Sequence, residues 1–427
     1  MKYRFGATSI KRLAALLLLA LAGGGPAFAD APALGASVPG LLEHARLNNP
    51  AFAAERAEAQ AARERIESAG ALPDPSFQVE LMDFTNRMNG GKTTLVPGQV
   101  GETRYRVIQP LPAWGKRELD SRAAEARAGK ADAARDAAWV TLAADIKMAW
   151  LRYYASDREA RLNRDALALL QGLEETTLSR YRLGLLPQQA VLRAQREITA
   201  QRLTQVAVEQ KRSAAAAALN ALLARPATDA LAAPLDPTPL PETPQFATLL
   251  ERVRAANPEL AAEALGTDVA RLERDRAWRD RYPDWSVGLT NNRPRDGENS
   301  WDLMVEVMIP LQQSARRARE REAEQMVTAA DMRRSAAEQR LQGELGRSHA
   351  AYAAGRETLR LLKGSLLPQA EATRDATRSA FANGRVDFDT VIEAERQLID
   401  IRMRALETEV ETRSALAELE KLAGEVQ

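Results

Sequence analysis

Two hydrophobic rhythms run along this chain. The first has a spacing of three and four. Trp139, Leu142, Ile146, Trp150 and Tyr153, followed by Leu162, Leu169 and Leu173, form a narrow stripe on one helix face. From Lys116 to Tyr181 there is no Pro, and Gly occurs only at Gly129 and Gly172. That predicts one helix of about 65 residues, roughly 100 Å long. A second long helix is predicted from Ser314 to Phe381, with Pro368 inside it as a kink or break. Shorter returning helices are predicted over Gln188–Leu223 and Phe388–Ala423, the latter with Ile399, Met403, Leu406 and Val410 as its stripe. Two more helices are expected over Leu41–Ser68 and Phe246–Arg279. Each stops before a Pro-Asp pair, because Pro disfavours helical geometry in the residue before it.

The second rhythm has period two and marks strands. Phe77, Val79 and Leu81 alternate with Gln78 and Glu80; Trp285, Val287 and Leu289 alternate with Ser286, Gly288 and Thr290. The clearest strand is Trp301, Leu303, Val305, Val307 and Ile309, interleaved with Asp302, Met304, Glu306 and Met308. Arg104–Gln109 alternates less well because Ile108 interrupts it. Alternation over about ten residues is compatible with a transmembrane β-strand, and equally with a soluble hairpin that buries one face. Read as membrane strands, Gln78, Glu80, Asp302 and Glu306 line a water-filled pore, and Trp285 and Trp301 are candidates for an aromatic girdle. Lumenal charge of this kind tunes ion preference without binding solute tightly.

The elements occur twice in the same order. Leu41-Leu42-Glu43 and Asn49-Pro50 return as Leu249-Leu250-Glu251 and Asn257-Pro258, an offset of 208. Pro73-Asp74 with Ser76 returns as Pro283-Asp284 with Ser286, an offset of 210. Pro110-Leu111 returns as Pro310-Leu311, and Gly184 with Ala194 as Gly384 with Ala394, both offset by 200. A period near 200 is too long for a solenoid repeat and indicates a duplicated half. The expected organisation is a first repeat over 30–225, a Pro-rich linker over 226–245 and a second repeat over 246–427.

Residues 1–29 have a different character. Lys2, Arg4, Lys11 and Arg12 precede the apolar run Leu13–Ala22, and Ala27-Phe28-Ala29 offers a cleavage site. This is the pattern of a secretory signal peptide, and ten apolar residues fall short of the about 20 that span a bilayer. Cleavage removes four basic and no acidic residues, turning the formal charge from +1 to −3. Any membrane insertion of the mature chain must then use strands.

The chemistry-bearing residues are few. The 427 residues include no Cys and two His, His44 and His349. That excludes thiolate catalysis, disulfides, Cys-ligated metals and a lipid anchored on Cys. Gly91-Lys92-Thr93 ends like a phosphate loop, but Asn86 stands where the first Gly is required. No catalytic, cofactor or metal constellation is found, and the near-neutral charge gives no reason to expect nucleic acid. Four strands cannot close a membrane barrel, which needs at least about eight, so spanning strands imply several copies sharing one barrel. The far ends of the long helices carry short turns, Leu183-Gly184-Leu185-Leu186 and Asn383-Gly384-Arg385-Val386. Gly there is a C-cap signal, and an apolar turn so far from the strands reads as a docking tip, although a plain helix-hairpin turn would look the same. A structural coiled coil explains the helices but not the strands, and a periplasmic adaptor would need more β structure.

Taken in order, these features resemble the TolC-like outer-membrane efflux factor family, from about Val38 to Leu422. Gly70-Ala71-Leu72-Pro73-Asp74-Pro75 and Gln109-Pro110-Leu111-Pro112-Ala113-Trp114-Gly115-Lys116 look most like its heavy-metal cation branch, the CzcC/CusC type. The resemblance implies a mainly α fold with a small β part. It further implies a homotrimer with an α-helical periplasmic tunnel and a shared outer-membrane barrel of four strands per chain. The implied function is that of a passive channel in a tripartite efflux system, set in outer-membrane lipid and joined by a periplasmic adaptor to an inner-membrane RND pump. The branch implies heavy-metal cations as cargo; drug or small-organic efflux, or protein secretion, is the alternative within the family. Gating acids of the family fall by spacing on Thr390 and Glu393, of which only the second is acidic, and Asp387 and Asp389 are further candidates. All three acids also suit the start of a helix through its dipole.

Overall fold

The computed structural model describes residues 34–88 and 91–425, so the expected signal peptide lies outside the described residues. The first half runs α1 (Val38–Asn48), α2 (Pro50–Ala69), β1 (Ser76–Met82), β2 (Glu102–Leu111), α3 (Lys116–Arg182) and α4 (Gln188–Leu222). The second runs α5 (Phe246–Ala256), α6 (Pro258–Arg279), β3 (Asp284–Pro294), β4 (Ser300–Met308), α7 (Gln313–Leu361), α8 (Leu367–Ala382) and α9 (Phe388–Leu422). The 67-residue α3 is unbroken, at about 1.5 Å per residue a rod of about 100 Å.

Three expectations need correction. The helices expected over Leu41–Ser68 and Phe246–Arg279 are each split, at Asn49 and Asn257. Pro50 and Pro258 cannot continue the preceding helix but suit the first position of a new one. Each Asn then serves two ends. Asn49 accepts from Phe52 N at 3.0 Å and donates to Leu222 O at 2.8 Å, closing α2 against the end of α4. Asn257 accepts from Glu259 N and Leu260 N and donates to Leu422 O at 2.9 Å, doing the same for α9.

Pro368 does not break its helix. The chain widens into a π-helical turn over Leu362–Leu366, and Pro368 occupies the first turn of α8. The wider turn makes room for the ring and for the hydrogen bond that Pro cannot donate.

The buried line of α9 lies one position before the expected stripe. Val391, Leu398, Ala405, Thr412 and Leu419 are buried, whereas Ile399, Met403, Leu406 and Val410 are half-buried. At its middle this line makes the close approach to α7, where a Cβ on Gly355 would collide with Thr412.

The core is distributed along the helical body. Leu41, Ile146, Trp150, Tyr153, Leu219 and Leu223 form one cluster, and Leu249, Val253, Leu341, Leu345, Tyr352, Leu419 and Leu422 form a second. Near the far ends, Leu170, Leu173, Ile198, Phe381, Phe388 and Val391 make a third. Each large side chain so buried contributes about 1.5–3 kcal/mol. The Pro-rich connection is pinned across this body: Tyr352 Oη donates to Pro241 O at 2.6 Å, and Ala232 N donates to Leu34 O at 2.9 Å.

The strands form one antiparallel sheet in the order β1-β2-β3-β4. Val79 lies opposite Tyr105, Tyr105 opposite Asn291, and Asn291 opposite Trp301. The sheet is open, with β1 and β4 as its edges. No helix among the described residues is long and apolar enough to cross a membrane.

Candidate functional site

The register sorts the sheet into two unlike faces. One carries Gln78, Glu80, Arg104, Arg106, Thr290, Asn292, Asp302 and Glu306. All four residues expected to line a pore are on it. The other carries Phe77, Val79, Val107, Val287, Leu289, Leu303, Val305 and Val307, with Trp285 at the helix-facing end and Trp301 at the loop end. Leu303 is 72% exposed and Phe77 65%. An apolar face this open calls for lipid or a protein partner. Ile108, which interrupts the alternation, sits on the polar face between Ser76 and Gly288. There Gly288 leaves room for the Met304 methyl, which a Cβ would meet at 2.9 Å.

The polar face carries more acid than base, with Glu80, Glu102, Asp302 and Glu306 against Arg104 and Arg106. Arg104 lies 2.9 Å from Glu102 and 3.9 Å from Glu80, and Arg106 lies 3.7 Å from the same Glu80 oxygen. Arg106 also donates to Thr290 Oγ1 at 3.1 Å, and Asn292 donates to Asp302 at 2.6 Å. Among the described residues Glu306 has one hydrogen-bond partner, Ser286 at 3.5 Å. Glu80 is flanked by two guanidiniums, whereas Asp302 and Glu306 have no ion pair among the described residues.

Below the sheet, a buried lysine ties the two halves together. Lys116 Nζ lies 2.9 Å and 3.1 Å from the two Asp284 oxygens and 3.1 Å from Asp280. Ala113 N donates to Asp284 at 2.7 Å. Arg276 holds Asp280 at 2.6 Å and Asp120 at 2.8 Å, and Arg117 donates to Gly70 O at 2.8 Å and 3.0 Å. Lys116 and Gly70 belong to the segments that suggested a metal branch, and here both are structural, Lys116 holding Asp284 and Gly70 O accepting from Arg117. Their pairing joins distant parts of the chain, so no local spacing signals it. Trp114, in the loop after β2, is 93% exposed beside this junction.

At the far end the two tips share one backbone. Gly184 has φ +73° and Gly384 φ +70°. Leu185 N donates to Arg180 O and Arg385 N to Ala380 O, both at 2.9 Å. This is the left-handed helix stop that Gly favours. Leu183 and Leu185 are exposed by 74% and 69%, whereas Leu186 and Val386 are half-buried against the tip core. Asn383 and Arg385 are exposed.

The gate candidates fall into three kinds. Asp387 is the N-cap of α9, accepting from the Thr390 hydroxyl and, at 2.9 Å, from Thr390 N, and these bonds hold its carboxyl below the usual range. Asp389 is ion-paired with Arg193 of α4. Glu393 is exposed, and Gln397 donates to it at 3.0 Å. Sequence reasoning missed three residues here. Arg180 donates to Phe381 O and Ala382 O, each at 2.8 Å, and stacks on the Phe381 ring at 4.7 Å. Arg396 reaches Glu197 at 2.6 Å. Glu395 is buried, with Arg378 Nε 3.1 Å from its Oε1 but out of line for a hydrogen bond. Burial pushes its carboxyl above the usual range. No cluster of three metal-ligating side chains occurs among the described residues.

Comparisons with known proteins agree with this geometry. The model of the family described as outer membrane efflux protein matches residues 41–225 and again 249–425. In fold the chain is similar to CusC, at 17% identity and a TM-score of 0.76 over 91% of this chain and 92% of that one. It is similar to the open-state MtrE outer membrane channel of Neisseria gonorrhoeae, at 17% and 0.75 over 92% and 89%. It is also similar to VceC of Vibrio cholerae, at 16% and 0.73 over 91% and 97%. No curated protein matches the chain in a sequence comparison. The likenesses are equal within a few hundredths, so the CusC-type branch expected from the sequence is not singled out.

Proposed function

This chain belongs to the outer membrane efflux protein family, and from that premise we propose that it forms the exit duct of a tripartite efflux system. It is an outer-membrane transport conduit and not an enzyme. The observation that carries the reading is the sheet: four strands, both edges open, one face apolar and one polar. Three copies give twelve strands, enough for a closed barrel with the apolar face toward lipid and Gln78, Glu80, Asp302 and Glu306 toward water. Trp285 and Trp301 then stand at the two membrane boundaries as girdle residues. In this reading the helices continue the barrel as a periplasmic tunnel. The tips at Leu183–Leu186 and Asn383–Val386 meet a periplasmic adaptor, which links the duct to an inner-membrane RND pump. Glu393 is the acid best placed to act at the gate, since Asp387 caps a helix and Asp389 is neutralised by Arg193.

For cargo, small organic solutes are the better reading than metal cations. The support is that Lys116 and Gly70, within the segments that suggested the metal branch, are engaged structurally, and that the likeness to CusC is matched within a few hundredths by MtrE and VceC. A strain lacking the chain tests this against dyes, detergents and antibiotics beside zinc, cadmium, cobalt, copper and silver salts. Sensitivity to organic compounds is expected; sensitivity confined to metals overturns the cargo reading.

A further inference from the structure

We infer the register of the seam between copies, and with it the residues that meet there; the inference rests on the shared-barrel reading. Inside one chain, β2 and β3 pair so that Val107 faces Leu289 and Gln109 faces Val287. Two landmarks relate the free edges to this pair. Pro73-Asp74 with Ser76 at β1 repeats as Pro283-Asp284 with Ser286 at β3, and Pro110-Leu111 of β2 repeats as Pro310-Leu311 after β4. Carried through these landmarks, the β2–β3 register places β4 of one copy antiparallel to β1 of the next. Ile309 then faces Phe77, Val307 faces Val79, and Val305 faces Leu81.

Two independent features fit. The first is parity. Every pair just named is apolar on the apolar face, and a slip of one residue would set Val307 against Gln78 or Glu80. The second is closure. Following partners from Val79 through Tyr105, Asn291 and Trp301 across the seam arrives six residues further along the next β1. At about 3.3 Å per residue and 4.8 Å between strands, that shift tilts the strands by about 45°, within the about 35–45° range of membrane barrels. The register also brings Glu306 opposite Glu80, with Arg106 3.7 Å from the Glu80 carboxylate.

The same equivalence extends below the sheet. Asp284 is held by Lys116 at the start of α3, whereas its counterpart Asp74 is exposed and has no ion pair among the described residues. At the seam, Asp74 meets the start of α7 of the next copy, where Arg316 and Arg317 stand.

The absence of Cys makes the test direct. The full-length chain carrying Val79→Cys with Val307→Cys is expressed in outer membranes and treated with an oxidant or a short thiol-bridging reagent. A reducible ladder of dimer and trimer is expected on non-reducing gels, with Gln78→Cys plus Val307→Cys remaining monomeric. Val79→Cys with Val305→Cys, or with Ile309→Cys, should link less. Strongest linking at either shifted pair overturns the register, as does no linking in protein whose native mass is trimeric. A monomeric native mass overturns the shared-barrel reading itself.

Discussion

The two tips differ in chemistry while sharing a backbone. Both stop a helix with a left-handed glycine and the same carbonyl bonds. The first exposes Leu183 and Leu185, and its returning helix α4 starts at Pro187 without a side-chain cap. The second exposes Asn383 and Arg385, and its returning helix α9 is capped by Asp387. Arg180 belongs to the first arm alone, since position 380 is Ala, and it clamps the carbonyl end of α8. Gln195 of the first arm corresponds to the buried Glu395 of the second. A turn depends on a few backbone torsions, so it persists while side chains diverge. The first tip therefore presents apolar side chains to its surroundings and the second polar ones.

The largest effect should separate the two surfaces. Leu183→Asp with Leu185→Asp is expected to lower resistance to that of the deletion strain while the trimer persists. Asn383→Asp with Arg385→Asp should retain most of it. Equal losses in the same inhibition assay would break the distinction.

Next comes the shared backbone. Val at Gly184 or Gly384 meets open space but is forced to positive φ, a cost of about 1–2 kcal/mol. Both variants should weaken adaptor capture more than trimer formation, compared by pull-down and native mass. Unchanged capture would mean the turn is not a docking element.

Arg180→Ala removes two hydrogen bonds to carbonyls and a ring contact. Amide exchange over 379–386 should speed by about 5- to 30-fold, corresponding to roughly 1–2 kcal/mol, with 179–186 little changed. Faster exchange at both tips would show that the clamp supports the first arm equally.

The smallest effect concerns pH. The folded-state pKa of Glu395 is raised, so its contribution favours folding below the unfolded value, about 4.3, and is lost as pH rises through the folded value. Protection of α8 and α9 should therefore increase as pH falls from 7 toward that range. Glu395→Gln should be more protected at pH 7 and flat over the same interval. Asp387 acts oppositely in a lower window: its pKa is depressed, so its cap persists until pH falls through that depressed value.

Much of the fold was readable from the residues. The stretch from Lys116 lacks Pro, and helical propagation proceeds unless interrupted, so α3 extends from Lys116 to Arg182 much as its composition requires. Period two located all four strands, because alternation itself sorts side chains to faces. The misses share one cause. Asn49-Pro50 became a break because the Asn side chain found the ends of both helices, Leu222 O being distant in sequence. Pro368 was absorbed by a π turn inside a packed bundle. In α9 the buried line runs through Ala405 and Thr412, the latter at the close approach to Gly355, with Leu406 and Val410 half-buried beside it. At the site, the tip glycines and the polar strand residues were legible, while Lys116 with Asp284, Arg180 with Phe381 O and Arg193 with Asp389 were not.

The sequence alone determined the element types, the length of α3, the position of the two turns and the two-faced sheet. These depend on local torsion, periodicity and the presence or absence of Pro and Gly. Only the tertiary structure decided which charges are neutralised, which acid is left exposed and how the two halves are tied across Lys116. The ties of Lys116 to Asp284 and of Arg193 to Asp389 join partners more than a hundred residues apart, whose approach is set by packing and not by anything either segment carries by itself.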